Sequence, residues 1–439
     1  MKKIGILGLA RSGLSAALKA KELGYEVFIS EFKSMAECEI DIAKLQNIRS
    51  EFGGHSDEIL NYQTIVVSPG IPLDTPIIKK LVANGNELIS EIEFGYRIKH
   101  PATKIIAVTG SNGKSTTVSL IYHILNELGQ KVALGGNIGI AFTSLPIEKY
   151  VYDYVILELS SFQLDLVQSF RPEIAVLLNI TPDHLNRYVS FDAYSLSKFH
   201  IFKQQHPDDI AIIMDSDTQI NCFRKMIPSK IKSFSLKEKS DVKLNNYVLT
   251  TSLLTIDINK TSLKGEHNIL NIMATMLVLE SMHLKLDRDE VAKAFSTFKG
   301  LAHRLEFVVD INGRTFVNDS KATNTDSVKY ALSAYKQKVR IILGGSDKGE
   351  DYGVLLSSLN VYAKKLYLIG ETTDKMLLQF AEFPAKETFP GLKEAVLKAY
   401  QDSDVNDIII LSPACASYDS FKNFEQRGDA FKKIVREIK

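Results

Sequence analysis

The segment Ile105-Ile106-Ala107-Val108-Thr109-Gly110-Ser111-Asn112-Gly113-Lys114-Ser115-Thr116-Thr117 constrains this chain more than any other. A β-branched strand runs into a loop of small residues and then into a helix-compatible stretch, a unit that belongs to a parallel α/β sheet. Backbone N–H groups of such a loop, backed by the positive end of the helix, surround phosphate oxygens. Lys114 is then placed for the β- and γ-phosphates and the Ser115 hydroxyl for Mg²⁺. The common pattern carries a glycine five positions before Gly113. This chain has Val108 there, and Gly110 supplies the flexibility later in the loop. The flanking strand and helix distinguish the segment from a glycine-rich turn with an incidental lysine.

Two further apolar runs end in reactive side chains. Residues 154–157 lead into Glu158, and residues 174–178 lead through Asn179 into Thr181-Pro182-Asp183-His184. Ligands of open α/β sheets sit beyond the carboxyl ends of the strands. Glu158 and His184 are therefore placed to face the γ-phosphate and to hold a divalent metal, Mg²⁺ accepting the histidine only with oxygens completing its shell. Singly, Glu158 also reads as a helix-capping acid and His184 as a turn residue; their pairing at two strand ends favours the metal. Near the N-terminus, Gly8-Leu9-Ala10-Arg11-Ser12-Gly13 is similar to a dinucleotide fingerprint whose second glycine is Ala10, with Glu31 near the position of a ribose-binding acid. A NAD site, a tight strand-to-helix turn and an anionic nucleotide at the helix N-terminus are all open readings, and Ala10 together with the second loop downstream favours the last. The turn Ser68-Pro69-Gly70-Ile71-Pro72 closes another strand beside the same crevice.

At 439 residues the chain holds two or three cores. The strand pattern recurs at 4–7, 27–30, 65–67 and 88–90, again from 105 to 214, and again at 315–317, 339–343, 366–369 and 408–411. Short alternating runs over 231–263 predict antiparallel hairpins. Polar residues 97–104 and the reset near 299–302 divide the chain into 1–97, 98–300 and 301–439. The fold class is α/β with three domains: Rossmann-like, a central P-loop ATPase type, and Rossmann-like again. Lys plus Arg number 53 against 52 Asp plus Glu, a formal net charge of +1, which removes the broad field a nucleic-acid or membrane-surface binder uses. No apolar stretch reaches the roughly 18–20 residues that span a bilayer. Three widely spaced cysteines, Cys38, Cys222 and Cys415, form no CxxC pair, so a reducing cytoplasm is expected.

In the last segment three loops follow strands: Asn318-Asp319-Ser320-Lys321-Ala322-Thr323-Asn324, Gly344-Gly345-Ser346-Asp347-Lys348-Gly349 and Ser412-Pro413-Ala414-Cys415-Ala416-Ser417. Their Lys, Ser, Thr and Asp side chains suit a cleft for carboxylate and phosphate. Cys415 reads as a packed thiol, since small residues and no histidine surround it.

Four runs together carry a family resemblance. Thr109-Gly110-Ser111-Asn112-Gly113-Lys114-Ser115-Thr116, Leu159-Ser160-Ser161-Phe162-Gln163-Leu164, Asp319-Ser320-Lys321-Ala322-Thr323-Asn324 and Leu411-Ser412-Pro413-Ala414-Cys415-Ala416-Ser417 resemble the Mur ligases, and the match extends over residues 8–428. The resemblance implies an ATP-dependent amide ligase of bacterial peptidoglycan synthesis. It would add D-glutamate to UDP-N-acetylmuramoyl-L-alanine through an acyl phosphate and a tetrahedral intermediate. A monomer with these three small-molecule substrates, one or two Mg²⁺ ions, and no nucleic-acid or membrane partner is implied.

The resemblance also distributes roles. ATP falls to Gly110, Ser111, Asn112, Gly113, Lys114, Ser115, Thr116, Asn268, Asn271, Arg304 and Asp319. The UDP-linked substrate falls to Ala10, Arg11, Ser12, Lys33, Gly70, Asn137 and Gln163. D-glutamate falls to Thr323, Lys348, Ser417 and Phe424, brought in by a C-terminal domain that closes on ATP. Metal falls to Ser115, Glu158, His184 and Lys198, the last as a carbamylated lysine, although the sequence alone makes Lys198 a solvated helix charge. Lys114, His184, Lys198 and Lys321 are the catalytic set, and Asp183, His184 and Asp319 are the alternatives for the base that deprotonates the amine. Two positions depart from the family pattern: Asn186, where an Asp often stands, and Ser30-Glu31-Phe32-Lys33, which replaces an Asp-Thr/Ser-Arg strand end.

Three rivals remain on sequence. A folylpolyglutamate synthetase-like ligase shares the phosphate loop, and the Ser-Phe-Gln and Ser-Pro-Ala-Cys-Ala runs argue against it. A non-catalytic P-loop switch does not need the third segment's polar cleft. A NAD-dependent oxidoreductase rests on residues 8–13 alone.

Overall fold

The computed structural model describes residues 2–38, 42–182, 187–237, 240–263, 265–282, 284–335 and 337–438. Asp183, His184 and Asn186 lie outside them. The chain divides into two compact units, Met1–Thr261 with Leu270–Phe298, and Ser262–Ile269 with Lys299–Lys439.

In the first unit the N-terminal apolar runs form a five-stranded parallel sheet ordered Arg49–Phe52, Glu26–Glu31, Lys3–Leu7, Thr64–Val67, Glu87–Ile89. Leu7 pairs in register with both Ser30 and Val67, so the loops leaving these strands open on one edge. The helix Arg11–Glu22 starts at Ala10 directly after the central strand. Ser90, assigned by its pattern to a strand, instead caps the helix Glu91–Ile98, its hydroxyl accepting the Glu93 N–H.

A second sheet in the same unit has six parallel strands ordered Lys230–Phe234, Ile210–Met214, Ile174–Leu177, Lys104–Thr109, Tyr154–Glu158, Val132–Gly136. Ile105, Ile106, Ala107 and Val108 are fully buried, as expected of a strand covered on both faces. The hairpin expectation for 231–263 is half corrected. Lys230–Phe234 joins this parallel sheet, because Ile231 and Phe234 extend the register of Ile210–Met214. Only Lys243–Asn245, Val248–Thr250 and Thr255–Asp257 form an antiparallel sheet.

The helix Glu91–Ile98 serves both cores. Ile92 packs in the second sheet's cluster and Phe94 in the first's. Between them the fully buried Glu93 carboxylate accepts the N–H groups of Gln168, Ser169 and Phe170, the Ser169 hydroxyl and Arg97 Nε at 2.5–3.0 Å. Burial opposes ionisation, but these donors outweigh it and hold the carboxyl below its ordinary value. A buried ion pair, Lys19 Nζ to Glu148 Oε1 at 3.0 Å, ties the first helix to the same body.

The second unit carries a six-stranded mixed sheet ordered Glu306–Ile311, Arg314–Asn318, Ile408–Leu411, Val339–Gly344, Ala363–Ile369, Lys386–Thr388. Only the Glu306–Ile311 edge is antiparallel. Among the described residues no helix is long and apolar enough to cross a membrane.

Candidate active site

The phosphate loop leaves the interior strand of the six-stranded sheet and enters the helix Lys114–Glu127 at Gly113. Gly113 has φ +86°, and a Cβ there would lie 2.4 Å from Asn271 Oδ1, so glycine is required twice over. A neighbouring loop shapes this backbone. Ser111 N–H donates to the Asn179 carbonyl (2.9 Å), Asn112 N–H donates to Asn179 Oδ1 (2.8 Å), and Asn179 Nδ2 returns to the Asn112 carbonyl (3.1 Å). Lys114 Nζ donates to the carbonyls of Gly110 and Ser111 at 2.7 and 2.8 Å, which folds the cation over the loop. Ser115 and Thr116 lie buried at the start of the helix, where N–H groups have no intrahelical acceptor.

Lys198 is not a solvated charge. It is 2% exposed on the helix Phe191–Phe199, lies 4.6 Å from the Tyr194 ring centroid and donates to the Gly110 carbonyl at 3.1 Å. Tyr194 OH meets Ser111 Oγ at 3.1 Å.

Glu158, 3% exposed, pairs in register with Val108. Its Oε1 accepts Asn137 Nδ2 at 2.7 Å, whereas its Oε2 is buried with no hydrogen-bond partner among the described residues. A buried carboxylate oxygen left over at the end of the strand paired with the one that feeds the phosphate loop suits a hard divalent cation. Among the described residues no three His, Cys, Asp or Glu side chains gather.

The glycine-containing loop of residues 8–13 meets this region through Arg11, whose Nη atoms donate to the carbonyls of Gly139 (2.9 Å), Asn137 (3.0 Å) and Gly136 (3.4 Å). Arg11, Asn137 and Glu158 thus form one continuous chain of contacts. Ala10 caps the helix and Ser12 is buried behind it. Glu31 accepts the N–H groups of Leu9 (2.5 Å) and Lys33 (2.9 Å), so its carboxylate is engaged by the protein's own loop. Lys33 is exposed. Gln163 closes a capping box on Ser160.

Sequence reading missed Arg187. Its guanidinium donates to the carbonyls of Pro69, Gly70 and Ile71 at 2.7–2.9 Å and lies 4.4 Å from the Phe162 ring centroid. It clamps the turn containing Gly70 to the Ser-Phe-Gln segment. Nothing local marks this arginine, since its acceptors are over a hundred positions away.

In the second unit Asp319, 4% exposed, accepts the Ser412 hydroxyl (2.8 Å) and the Leu305 N–H (3.1 Å). Burial outweighs these bonds and the nearby Arg304, and pushes its carboxyl up to about 7. Lys321 lies 5.7 Å from the Phe424 ring centroid. The buried Arg427, also missed, joins two of the strand-end loops by donating to Ser320 Oγ and O and to the carbonyls of Cys415 and Ala416 at 2.9–3.0 Å. Burial pushes its guanidinium down to about 10. Ser417 is buried in the same loop. Thr323 follows Lys321, its N–H donating to the Lys321 carbonyl at 2.9 Å. Lys348 stands exposed, and no hydrogen bond or ring contact among the described residues ties it to this cluster. Cys415 is a packed thiol between Tyr352 OH and Thr372 Oγ1, and burial pushes it up. Asn268 lies in the second unit and Asn271 in the first, where Asn271 Oδ1 accepts the Thr117 hydroxyl at 3.3 Å.

Comparison with known proteins covers the chain in three blocks. Residues 2–90 match the Mur ligase MurD-like N-terminal domain, 108–279 the Mur ligase middle domain, and 303–415 the Mur ligase glutamate ligase domain. The chain is 41% identical to the UDP-N-acetylmuramoylalanine--D-glutamate ligase of Cytophaga hutchinsonii, over 100% of this chain and 99% of that protein. It is 40% identical to the protein of the same name from Bacteroides thetaiotaomicron, over 100% of both chains. Among solved structures, a UDP-N-acetylmuramate-alanine ligase from Thermotoga maritima superposes with a TM-score of 0.62 at 18% identity, covering 100% of each chain. E. coli FolC in complex with DHPP and ADP reaches 0.60 at 15% identity, over 79% of this chain and 92% of that one. The fold is therefore shared by proteins of different names and ligands, and the fold alone does not choose among them.

Proposed function

The chain belongs to the Mur ligase family, and from that premise we propose that it joins D-glutamate to UDP-N-acetylmuramoyl-L-alanine with ATP, in peptidoglycan synthesis. The observation that carries the reading is full-length identity of about 40% to ligases named for that reaction, and a phosphate loop with a lysine and a buried carboxylate on the adjoining strand supports it.

A carboxylate and an amine do not condense in water because the carboxylate oxygen is a poor leaving group. In the proposed sequence one oxygen of the alanyl carboxylate attacks the γ-phosphorus and ADP leaves. The glutamate amine then attacks the carbonyl carbon of the acyl phosphate, and the tetrahedral adduct expels phosphate. Residues 110–116 hold the phosphates with backbone N–H groups, and Lys114 swings from the Gly110 and Ser111 carbonyls onto the β- and γ-phosphates. Ser115, Glu158, Lys198 as its carbamate, and His184 would hold Mg²⁺, which neutralises charge on the transferring phosphoryl group. Arg11, Asn137, Gly70 and Gln163, with Ala10, Ser12 and Lys33, are the proposed seat of the UDP-linked substrate.

Asn268, Asn271, Arg304 and Asp319 are proposed for ATP, and Lys321 for the transferring charge. Thr323, Lys348, Ser417 and Phe424 are proposed for D-glutamate. Of the three groups able to take the amine proton, Asp319 is the one within the described residues, and a carboxyl near 7 can accept a proton at neutral pH. We assign these duties to residues 1–97, 98–300 and 301–439 of a cytoplasmic monomer.

The test is mass analysis of the UDP-linked product after incubation with ATP, Mg²⁺ and either D- or L-glutamate. A glutamyl adduct that forms with D-glutamate and needs ATP supports the reading. Equal use of L-glutamate, or no adduct, overturns it.

A further inference from the structure

The helix Arg11–Glu22 turns a polar seam towards the segment that follows the strand Val132–Gly136. Arg11, Ser15 and Lys19 recur at i, i+4 and i+8 and so share one helix face. Arg11 donates to the carbonyls of Gly136, Asn137 and Gly139, Ser15 Oγ lies 2.7 Å from Thr143 Oγ1, and Lys19 Nζ pairs with Glu148 at 3.0 Å. Successive turns of the helix thus meet successive points along residues 136–148.

The middle contact is built around an acid that no role above absorbs. Glu91 is 2% exposed in the first turn of the helix Glu91–Ile98, and its Oε1 accepts the Thr143 N–H at 2.6 Å and the Thr143 hydroxyl at 2.7 Å. That hydroxyl has one proton, and it goes to Glu91. Ser15 therefore donates to Thr143, and the 2.7 Å contact between Ser144 Oγ and Ser15 Oγ is donated by Ser144. Three hydroxyls in series converge on one carboxyl oxygen. A ring fixes the same turn: a Cβ on Gly95 would lie 2.4 Å from the Phe142 ring, so Phe142 packs directly on the helix backbone beside Thr143.

Stability alone would not select this arrangement. Glu91 Oε2 is buried with no hydrogen-bond partner among the described residues, and burial outweighs the Thr143 bonds and nearby Arg11 in pushing the carboxyl above its ordinary value. An apolar side chain would leave no unmatched oxygen there. Buried polar contacts are directional, however, and fix a register that apolar packing leaves free to slide. Here the registered parts are the helix start, with Arg11 and Ser12, and the loop carrying Asn137, whose Nδ2 holds Glu158 Oε1 at 2.7 Å.

We propose that Glu91, acting through Thr143 and Ser15, is a positioning residue that fixes the two halves of the UDP-linked substrate's seat against each other, Arg11 and Ser12 on the helix and Asn137 on the loop. It touches no substrate. The inference rests on the reading above that these residues hold a UDP-linked substrate.

Thr143→Val severs the series of hydroxyls while leaving the backbone N–H on Glu91. Titration calorimetry with UDP-N-acetylmuramoyl-L-alanine, without ATP, should show its Kd raised about three- to tenfold, the worth of one buried hydrogen bond. Ser15→Ala should do the same, and Thr143→Ser should restore the wild-type value. Glu91→Gln keeps an acceptor oxygen in place and should bind as wild type, whereas Glu91→Ala should raise the Kd. In steady-state assays of Thr143→Val, KM for the UDP-linked substrate should rise while KM for ATP and D-glutamate stays put. Arg11→Ala combined with Thr143→Val should raise the Kd by less than the product of the single effects, because both act on one helix–loop contact. A Kd for Thr143→Val within about twofold of wild type, a KM rise shared by all three substrates, or single effects that simply multiply overturns the proposal. A raised Kd in a protein that forms no amide would leave the positioning role standing and reject the ligase reading. Amide formation with an unchanged Kd would do the reverse.

Discussion

Replacing Glu158 by glutamine should make the protein more stable and nearly inactive. The side chain is 3% exposed; one oxygen is satisfied by Asn137 Nδ2 at 2.7 Å and the other has no hydrogen-bond partner among the described residues. A buried polar atom without a partner costs about 1–3 kcal/mol, and more when it carries charge. Glutamine keeps the shape and an oxygen for Asn137; its amide nitrogen still lacks a partner, but an unmatched neutral group costs less than an unmatched charge, so Glu158→Gln should gain about 1–3 kcal/mol in the ligand-free protein. For a unit of this size that is roughly 2–12 °C in melting temperature. Turnover should fall about a hundredfold or more, since the proposed anionic ligand of the cation that offsets the transferring charge is lost. Melting curves without nucleotide, paired with phosphate release at saturating substrates, read both effects. The added stabilisation that Mg²⁺ with ATP gives the wild type should shrink in the variant. A melting point that falls, with turnover within tenfold of wild type, would refute the placement of Glu158 as an uncompensated acid held for a cation.

Lys198→Ala should lose activity and regain part of it with added formate or acetate, and mass analysis of the intact wild type should show a carbamate. Neither rescue nor carbamate would mean that the buried amine acts as itself. Arg187→Ala should raise KM for the UDP-linked substrate about tenfold with a smaller effect on kcat, because three charge-assisted bonds to the Pro69–Gly70–Ile71 carbonyls are lost. Arg187→Lys should recover part of the loss, and a change in kcat alone would reject the clamp. Asp319 has a folded-state value near 7, above its unfolded value. Its contribution to stability is therefore full below about pH 4 and is lost as pH rises through about 7. Asp319→Asn should accordingly look progressively more stable than wild type between pH 5 and pH 8 in urea unfolding, and a pH-independent difference would show that the buried carboxyl is ionised throughout.

The phosphate loop was legible because its chemistry is local: a strand, two glycines, a lysine and a hydroxyl lie within a dozen positions. Interior strands such as Ile174–Leu177 and Val339–Gly344 were legible because burial on both faces demands continuous apolar runs. Arg49–Phe52, an edge strand of half-exposed polar residues, and the three-residue Lys386–Thr388 carry no such run and went unread. The antiparallel Glu306–Ile311 was also missed, its burial broken by exposed Phe307 and Asp310. Within the site, the burial of Lys198 and the clamps made by Arg187 and Arg427 depend on which loops meet after folding. On a helix pattern alone Lys198 and Arg427 look like surface charges. Glu31 likewise looked available to a ribose until its oxygens were found on the backbone of Leu9 and Lys33.

The central claim is that ATP activates the substrate carboxylate as an acyl phosphate before the amine attacks. It is tested most directly by supplying UDP-N-acetylmuramoyl-L-alanine with heavy oxygen in both positions of its terminal carboxylate, together with ATP, Mg²⁺ and D-glutamate. One labelled oxygen should appear in inorganic phosphate for each amide formed, and the other should remain in the amide carbonyl. Label recovered in AMP, or inorganic phosphate that stays unlabelled while amide accumulates, would contradict the account.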